Sequence, residues 1–205
     1  MKVLLVHGLG RTPVSLFSLE WRLKQAGWAT EQFGYAAFLE SYSQIVKRFQ
    51  TRLEEISSQG PYGIVAHSLG GLLTRSALGG GKLPLPERVV MLGTPNRLPR
   101  LAALAWKLAP FRWFAGQCGF NLASPKFFTQ LPPLKLSYTI IAGTQGLRGA
   151  WSPFGLEVND GIVALSETRI SDGDRPIELP VNHTFMMNDP TVQETVVQCL
   201  KLGHK

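Results

Sequence analysis

Short, unbroken apolar runs constrain this chain more than any other feature. Six segments rich in aliphatic or aromatic residues read as strands: Lys2–Val6, Glu31–Tyr35, Tyr62–Ala66, Val89–Leu92, Tyr138–Ala142 and Ile177–Val181. Several are apolar at successive rather than alternate positions, the pattern of strands covered on both faces. Helical periodicity falls between them. Ile45, Phe49, Leu53 and Ile56 form one stripe across Glu40–Ser58, and Leu69, Leu72, Leu73 and Ala77 form another that ends at Gly79-Gly80-Gly81. Near the end, Asp189-Pro190 reads as an N-cap and first helical residue, with Val192, Val196, Cys199 and Leu200 as the buried stripe. Strands alternating with helices predict an α/β three-layer sandwich around a mostly parallel sheet of about six strands.

The 205 residues suit one domain over 1–205, and that length buries enough surface to need neither metal nor disulfide staple. Cys118 and Cys199 lie 81 positions apart and match no metal or redox spacing, so no metal and no disulfide is expected. Met1-Lys2 is followed by too few apolar residues for a signal peptide, and no stretch is long enough to span a membrane. A cytoplasmic location is the expectation. No phosphate-cradling loop occurs, and no cofactor is expected.

The segment Gly93–Leu136, about forty residues between the fourth and fifth strands, exceeds what a crossover needs. It contains a Leu101–Leu108 helical pattern broken at Pro110 and reads as an insertion over one edge or end of the sheet. Charge is concentrated around it. From Arg88 to Leu156 there are eight basic residues and no acid, within a chain whose formal net charge is +7. Trp106, Phe111, Trp113, Phe114, Phe120, Phe127 and Phe128 share that stretch. Basic and aromatic residues together suit three things: a surface meeting an anionic membrane, single-stranded nucleic acid, or a solvated face over an aromatic mini-core. Nucleic acid ranks last, because no nucleic-acid module frames the segment and a parallel α/β sheet lacks an exposed stacking platform.

The chemistry is concentrated where the third strand enters Ala66-His67-Ser68-Leu69-Gly70-Gly71. A serine at a tight strand-to-helix turn is lifted out of the sheet, and the helix start beside it offers N–H groups to a developing oxyanion. The pattern is A-x-S-x-G, with Ala66 where the usual signature has glycine. The competing role for Ser68 is a plain helix N-cap. His7-Gly8-Leu9-Gly10, directly after the first strand, can aim an N–H back at the serine; the oxyanion donors would be Leu9 and Leu69. Of four histidines, His183 alone lies just past the last strand, where a base can reach Ser68. His7 and His67 read as turn or supporting residues, and His204 is next to the C-terminus. The acid is sought among Glu157, Asp160, Glu167, Asp172 and Asp174. Asp160, in Asn159-Asp160-Gly161-Ile162-Val163, is the best placed, against the alternative that it caps a helix beginning there.

Ser68, Asp160 and His183 in that order, with the HGLG turn ahead of them, resemble the α/β-hydrolase superfamily, in particular compact bacterial lipase- and esterase-like serine hydrolases whose cores dispense with the first two strands. Leu92-Gly93-Thr94-Pro95-Asn96 and Asn182-His183-Thr184 carry the resemblance further, although Arg97-Leu98-Pro99 stands where a further glycine is usual. The resemblance implies a Ser68–Asp160–His183 triad cleaving small-molecule carboxylic esters, lipids among them, with 93–136 as a lid or acyl-binding cap. An acyltransferase or thioesterase would use the same triad. A non-catalytic lipid- or protein-binding member would keep only the scaffold.

Overall fold

The computed structural model describes residues 1–81 and 83–202, so His204 lies outside the described residues. Six strands, β1 (Lys2–Val6), β2 (Ala29–Phe33), β3 (Tyr62–His67), β4 (Arg88–Leu92), β5 (Tyr138–Gly143) and β6 (Ile177–Leu179), form one sheet in the order β2-β1-β3-β4-β5-β6. Every neighbouring pair is parallel. All six strands therefore end at the same rim. The helices are α1 (Phe17–Gln25), α2 (Tyr42–Ser57), α3 (Leu69–Leu78), α4 (Arg100–Ala105), α5 (Ala109–Leu122), α6 (Pro125–Gln130) and α7 (Pro190–Lys201).

Successive strand residues face opposite sides of the sheet, so a strand covered twice must be apolar throughout. In β1, Leu4 and Val6 enter the core shared with α2 and α3, while Val3 and Leu5 enter the core shared with α1 and α7. Local sequence fixes the helix starts. The Ser41 hydroxyl accepts from the Gln44 N–H while the Gln44 side chain accepts from the Ser41 N–H, and Asp189 accepts from the N–H groups of Thr191 and Val192 ahead of α7.

Three expectations shift. The second strand runs Ala29–Phe33 rather than Glu31–Tyr35, because it is an edge strand whose polar Thr30 and Gln32 side chains bond to Glu20 instead of signalling burial. The last strand ends at Leu179, ahead of Pro180, rather than at Val181. The Leu101–Leu108 helix stops at Ala105, and Pro110 sits in the first turn of a new helix, where its missing N–H costs nothing. The segment 93–136 thus carries three helices, and α5 is itself kinked at Gly116, whose φ is +51°. Among the described residues no helix is long and apolar enough to cross a membrane.

Both roots of that segment are tied to α3 by one side chain. Arg75 is buried, and its guanidinium donates to the carbonyls of Asn96, Leu131 and Pro132 and to the Asn96 amide oxygen. Burial lowers its pKa. Replacing it leaves several buried carbonyls without donors, each costing about 1–3 kcal/mol. Arg75→Met should therefore lower the denaturant midpoint and expose 93–136 to limited proteolysis before the chain unfolds globally. Unchanged cleavage and stability would show that the tie is dispensable.

Candidate active site

The turn from β3 into α3 sets Ser68 apart. It is the one non-glycine residue with positive φ among those described, at φ +52° and ψ −120°. Its N–H donates to the Leu92 carbonyl (2.9 Å), and its own carbonyl accepts from the Gly71 N–H (3.0 Å), holding the turn from both sides. The helix can pass this close because residue 70 is glycine: a Cβ there would stand 2.6 Å from the Val6 carbonyl oxygen. Ala66 lies fully buried inside β3 and is not among the residues with positive φ, so its methyl replaces the customary glycine without strain.

Ser68 makes no capping hydrogen bond, which removes the N-cap alternative. Its Oγ instead lies 3.1 Å from Nε2 of His183, and Nδ1 of His183 lies 2.7 Å from Oδ2 of Asp160. His183 and Asp160 are both buried. The two competing roles for Asp160 fall to different oxygens. Oδ2 faces the imidazole, while Oδ1 accepts from the N–H groups of Ile162 (3.0 Å) and Val163 (2.7 Å), as a capping residue would. No α-helix follows; the chain forms only a short 3-10 turn at Leu165–Thr168.

The other candidate acids are engaged elsewhere. Glu157 and Glu167 bind Arg100, Asp172 binds Arg97, and Asp174 accepts from the Tyr138 hydroxyl. The Leu9 and Leu69 N–H groups, expected as oxyanion donors, have no protein acceptor among the described residues.

No family profile matches the chain, and no curated protein matches it in sequence. Solved structures do match in shape. A Bacillus licheniformis lipase is 21% identical with a TM-score of 0.76, over 97% of this chain and 91% of that one. A Legionella pneumophila phospholipase is 15% identical with a TM-score of 0.74, over 98% of this chain but 59% of its own. Human thioesterase 2 is 15% identical with a TM-score of 0.60, over 100% of this chain and 97% of that one. The chain has the α/β-hydrolase fold.

Two further histidines brace this site. His67 donates from Nε2 to the His183 carbonyl (3.1 Å), with the two rings 4.9 Å apart. Burial first, then the charge of His183, holds its pKa well below the usual imidazole value. His7 donates from Nδ1 to the Gly8 carbonyl (2.9 Å), accepts from the Tyr35 N–H at Nε2 (3.3 Å), and stacks on the Tyr35 ring at 4.1 Å. Because carbonyl and following N–H point opposite ways across a peptide, anchoring the Gly8 carbonyl turns the Leu9 N–H away from His7. Tyr35 completes the brace by donating its hydroxyl to the His7 carbonyl. Tyr35, expected as the last residue of the second strand, lies two residues beyond it.

Three more residues contribute, Gly93 and Asn159 within motifs already read from the sequence and Arg11 outside any. Gly93, at φ +54°, lets the chain pass where a Cβ would stand 2.9 Å from His183 Nδ1 and 3.1 Å from Asp160 Oδ2. Asn159 accepts from the Gly161 N–H and donates to the Leu147 and Glu157 carbonyls, shaping the loop that presents Asp160. Arg11 lines the cleft above Ser68, which has a volume of about 310 Å³ and walls that are mainly apolar side chains from β1's loop, α4 and α5. Among the described residues no group of His, Cys, Asp and Glu could hold a metal.

Burial lowers the pKa of both His7 and His67 in the folded chain, whereas the unfolded chain protonates them near the ordinary value of 6.5. Each thus contributes stability that is whole above that value and is lost as the pH falls through it, since the unfolded state binds the extra proton. Resistance to urea unfolding should weaken on acidification from about pH 7.5 to about 5.5, by at most about 1.4 kcal/mol per pH unit for each imidazole. His67→Gln should flatten that decline by one imidazole's share; identical slopes in variant and wild type would contradict this.

Proposed function

We propose that this chain is a serine hydrolase that cleaves carboxylic esters bearing an acyl chain. The observation that carries the proposal is the continuous contact from Ser68 Oγ through both ring nitrogens of His183 to Asp160. With Nδ1–H directed at Asp160, Nε2 is the nitrogen left to take the Ser68 proton as Oγ attacks the ester carbonyl. The tetrahedral oxyanion is met by the N–H groups of Leu9 and Leu69. His183 then hands its proton to the leaving alcohol, and water, deprotonated in turn by His183, releases the acid and restores Ser68.

An acyl chain is favoured over a small polar acid because Leu101, Ala102, Ala105, Phe111 and Phe114 line the cleft. Segment 93–136 would act as its cap. Phe114 already lies over the first loop, where a Cβ on Gly10 would come within 2.7 Å of its ring.

Large apolar side chains stand exposed on segments that follow strand ends, among them Trp113 on α5 at 84% and Trp151 beyond β5 at 101%. Lys107, Arg112 and Lys126 make no ion pair among the described residues. That combination supports peripheral contact with an anionic membrane. Thioester cleavage or acyl transfer would use the same side chains, and the likeness in fold to human thioesterase 2 favours keeping thioesters in the test.

A fluorophosphonate should label wild type and not Ser68→Ala, and the variant should lose on the order of 10⁶ in turnover of an acyl ester. Folded wild type that takes no label would favour a binding protein on this scaffold. Comparing an alcohol ester with a thioester of the same acid, and water with added alcohol as acceptor, separates the enzyme variants. Vesicles containing anionic lipid should bind more tightly than neutral ones at low salt, and Trp113→Ala with Trp151→Ala should weaken both; equal binding to both vesicle types would remove the membrane contact.

A further inference from the structure

Among the described residues lining the cleft, Arg11 alone carries a fixed charge. Its guanidinium makes no hydrogen bond or ion pair among the described residues; it lies over the Phe185 ring, 6.0 Å from Cζ to centroid, and its charge helps to lower the His67 pKa. Five other arginines, Arg22, Arg48, Arg52, Arg97 and Arg100, hold carboxylates, and Arg11 differs from the remainder in lining the cleft. An arginine presents five donors in a planar fork suited to the oxygens of a phosphate or carboxylate, and such bonds strengthen where neighbouring surface is apolar.

Its position says which part of a substrate it would meet. Arg11 follows Leu9 by two residues, and Phe185 follows His183 by two. The cation therefore bridges the first loop and the loop that carries the base. The apolar wall lies elsewhere, on α4 and α5. In an ester bound with its acyl chain on that wall, the leaving oxygen must approach His183 to receive its proton, which brings the alcohol portion beside Arg11.

We infer that Arg11 is a specificity-determining residue that recognises an anionic group, phosphate or carboxylate, on the alcohol portion of the ester. This rests on the hydrolase proposal above. The site then has two ends of opposite character, an apolar one for the acid and a cationic one for the alcohol.

The test uses three dodecanoyl monoesters, of glycerol, glycerol phosphate and glycerate, each assayed as free monomer on the full chain. Wild type should favour one or both anionic esters in kcat/KM by roughly tenfold or more, the scale of one charge-assisted contact. Preference for the phosphate ester alone identifies phosphate, and preference for both identifies charge. Arg11→Met should bring the anionic-to-neutral ratio close to one, and Arg11→Lys should restore part of it. Lys47→Met, which removes the same charge from the exposed face of α2, should leave the ratio as in wild type. A wild-type ratio near one, or a ratio that Arg11→Met does not change, overturns the assignment. If the neutral ester is still cleaved in that case, the hydrolase proposal stands without the subsite. A protein that cleaves none of the three overturns the assignment too, and fluorophosphonate labelling then decides whether the hydrolase proposal falls with it.

Discussion

The backbone of Ser68 is the constraint on which the rest of the site depends. A non-glycine residue at φ +52° costs about 1–3 kcal/mol and persists only where its surroundings over-determine it. Here β4 supplies the Leu92 carbonyl to its N–H, and β1 lies so close under α3 that residue 70 has room for no side chain. The turn is therefore a property of the assembled sheet, not of the six residues from Ala66 to Gly71. Once β1, β3 and β4 are in register, the loop after each is fixed relative to the hydroxyl. His7 and Gly93, at the ends of β1 and β4, become neighbours of the site without any sequence proximity to it.

How much of this the sequence discloses depends on whether the physical cause is local. The strands β1, β3, β4 and β5 were legible because burial on two faces forces unbroken apolar runs. The edge strand β2 was displaced by two residues because Thr30, Glu31 and Gln32 find partners in Glu20 and Arg52, so burial leaves no mark on them. Helix α1 was not anticipated at all, since only Leu19 and Leu23 of its nine residues are buried. Asp160 seemed far from the end of β5, but the Gly146 N–H donates to the Asn159 carbonyl at 2.7 Å, closing the intervening residues into an excursion. A Cβ on Gly143 would stand 2.8 Å from that of Asp160. Chain length between two residues carries no information about such closure.

Charge shows the same limit from the other side. The acid-free stretch from Arg88 to Leu156 suggests a uniformly basic surface, yet Arg97 and Arg100 are met by Asp172, Glu157 and Glu167 from beyond it. Their pairing knits the start of the inserted segment to the loops after β5. The aromatic residues divide likewise. Trp106 packs edge-on with Phe111 and Phe120, and Phe127 packs with Tyr42 against the main core, while Trp113 stays exposed. Arg11 lies outside the acid-free stretch, and its lack of an acceptor is visible only in three dimensions.

Neutral imidazoles suit the remaining polar positions because each can donate from one nitrogen and accept at the other without burying a charge. His7 uses both nitrogens. His67 uses only one: Nε2 serves the His183 carbonyl, while Nδ1 is buried without a hydrogen-bond partner. Filling that vacancy with a proton would place a cation about one ring away from His183. At the 4.9 Å between ring centroids and an effective dielectric near 20, two such charges repel by about 3 kcal/mol. A charged His67 would thus oppose the imidazolium that the proposed chemistry requires at His183, by roughly two orders of magnitude in equilibrium. An unsatisfied nitrogen, costing about 1–3 kcal/mol, is the smaller or equal penalty, and it leaves the proton's destination to His183.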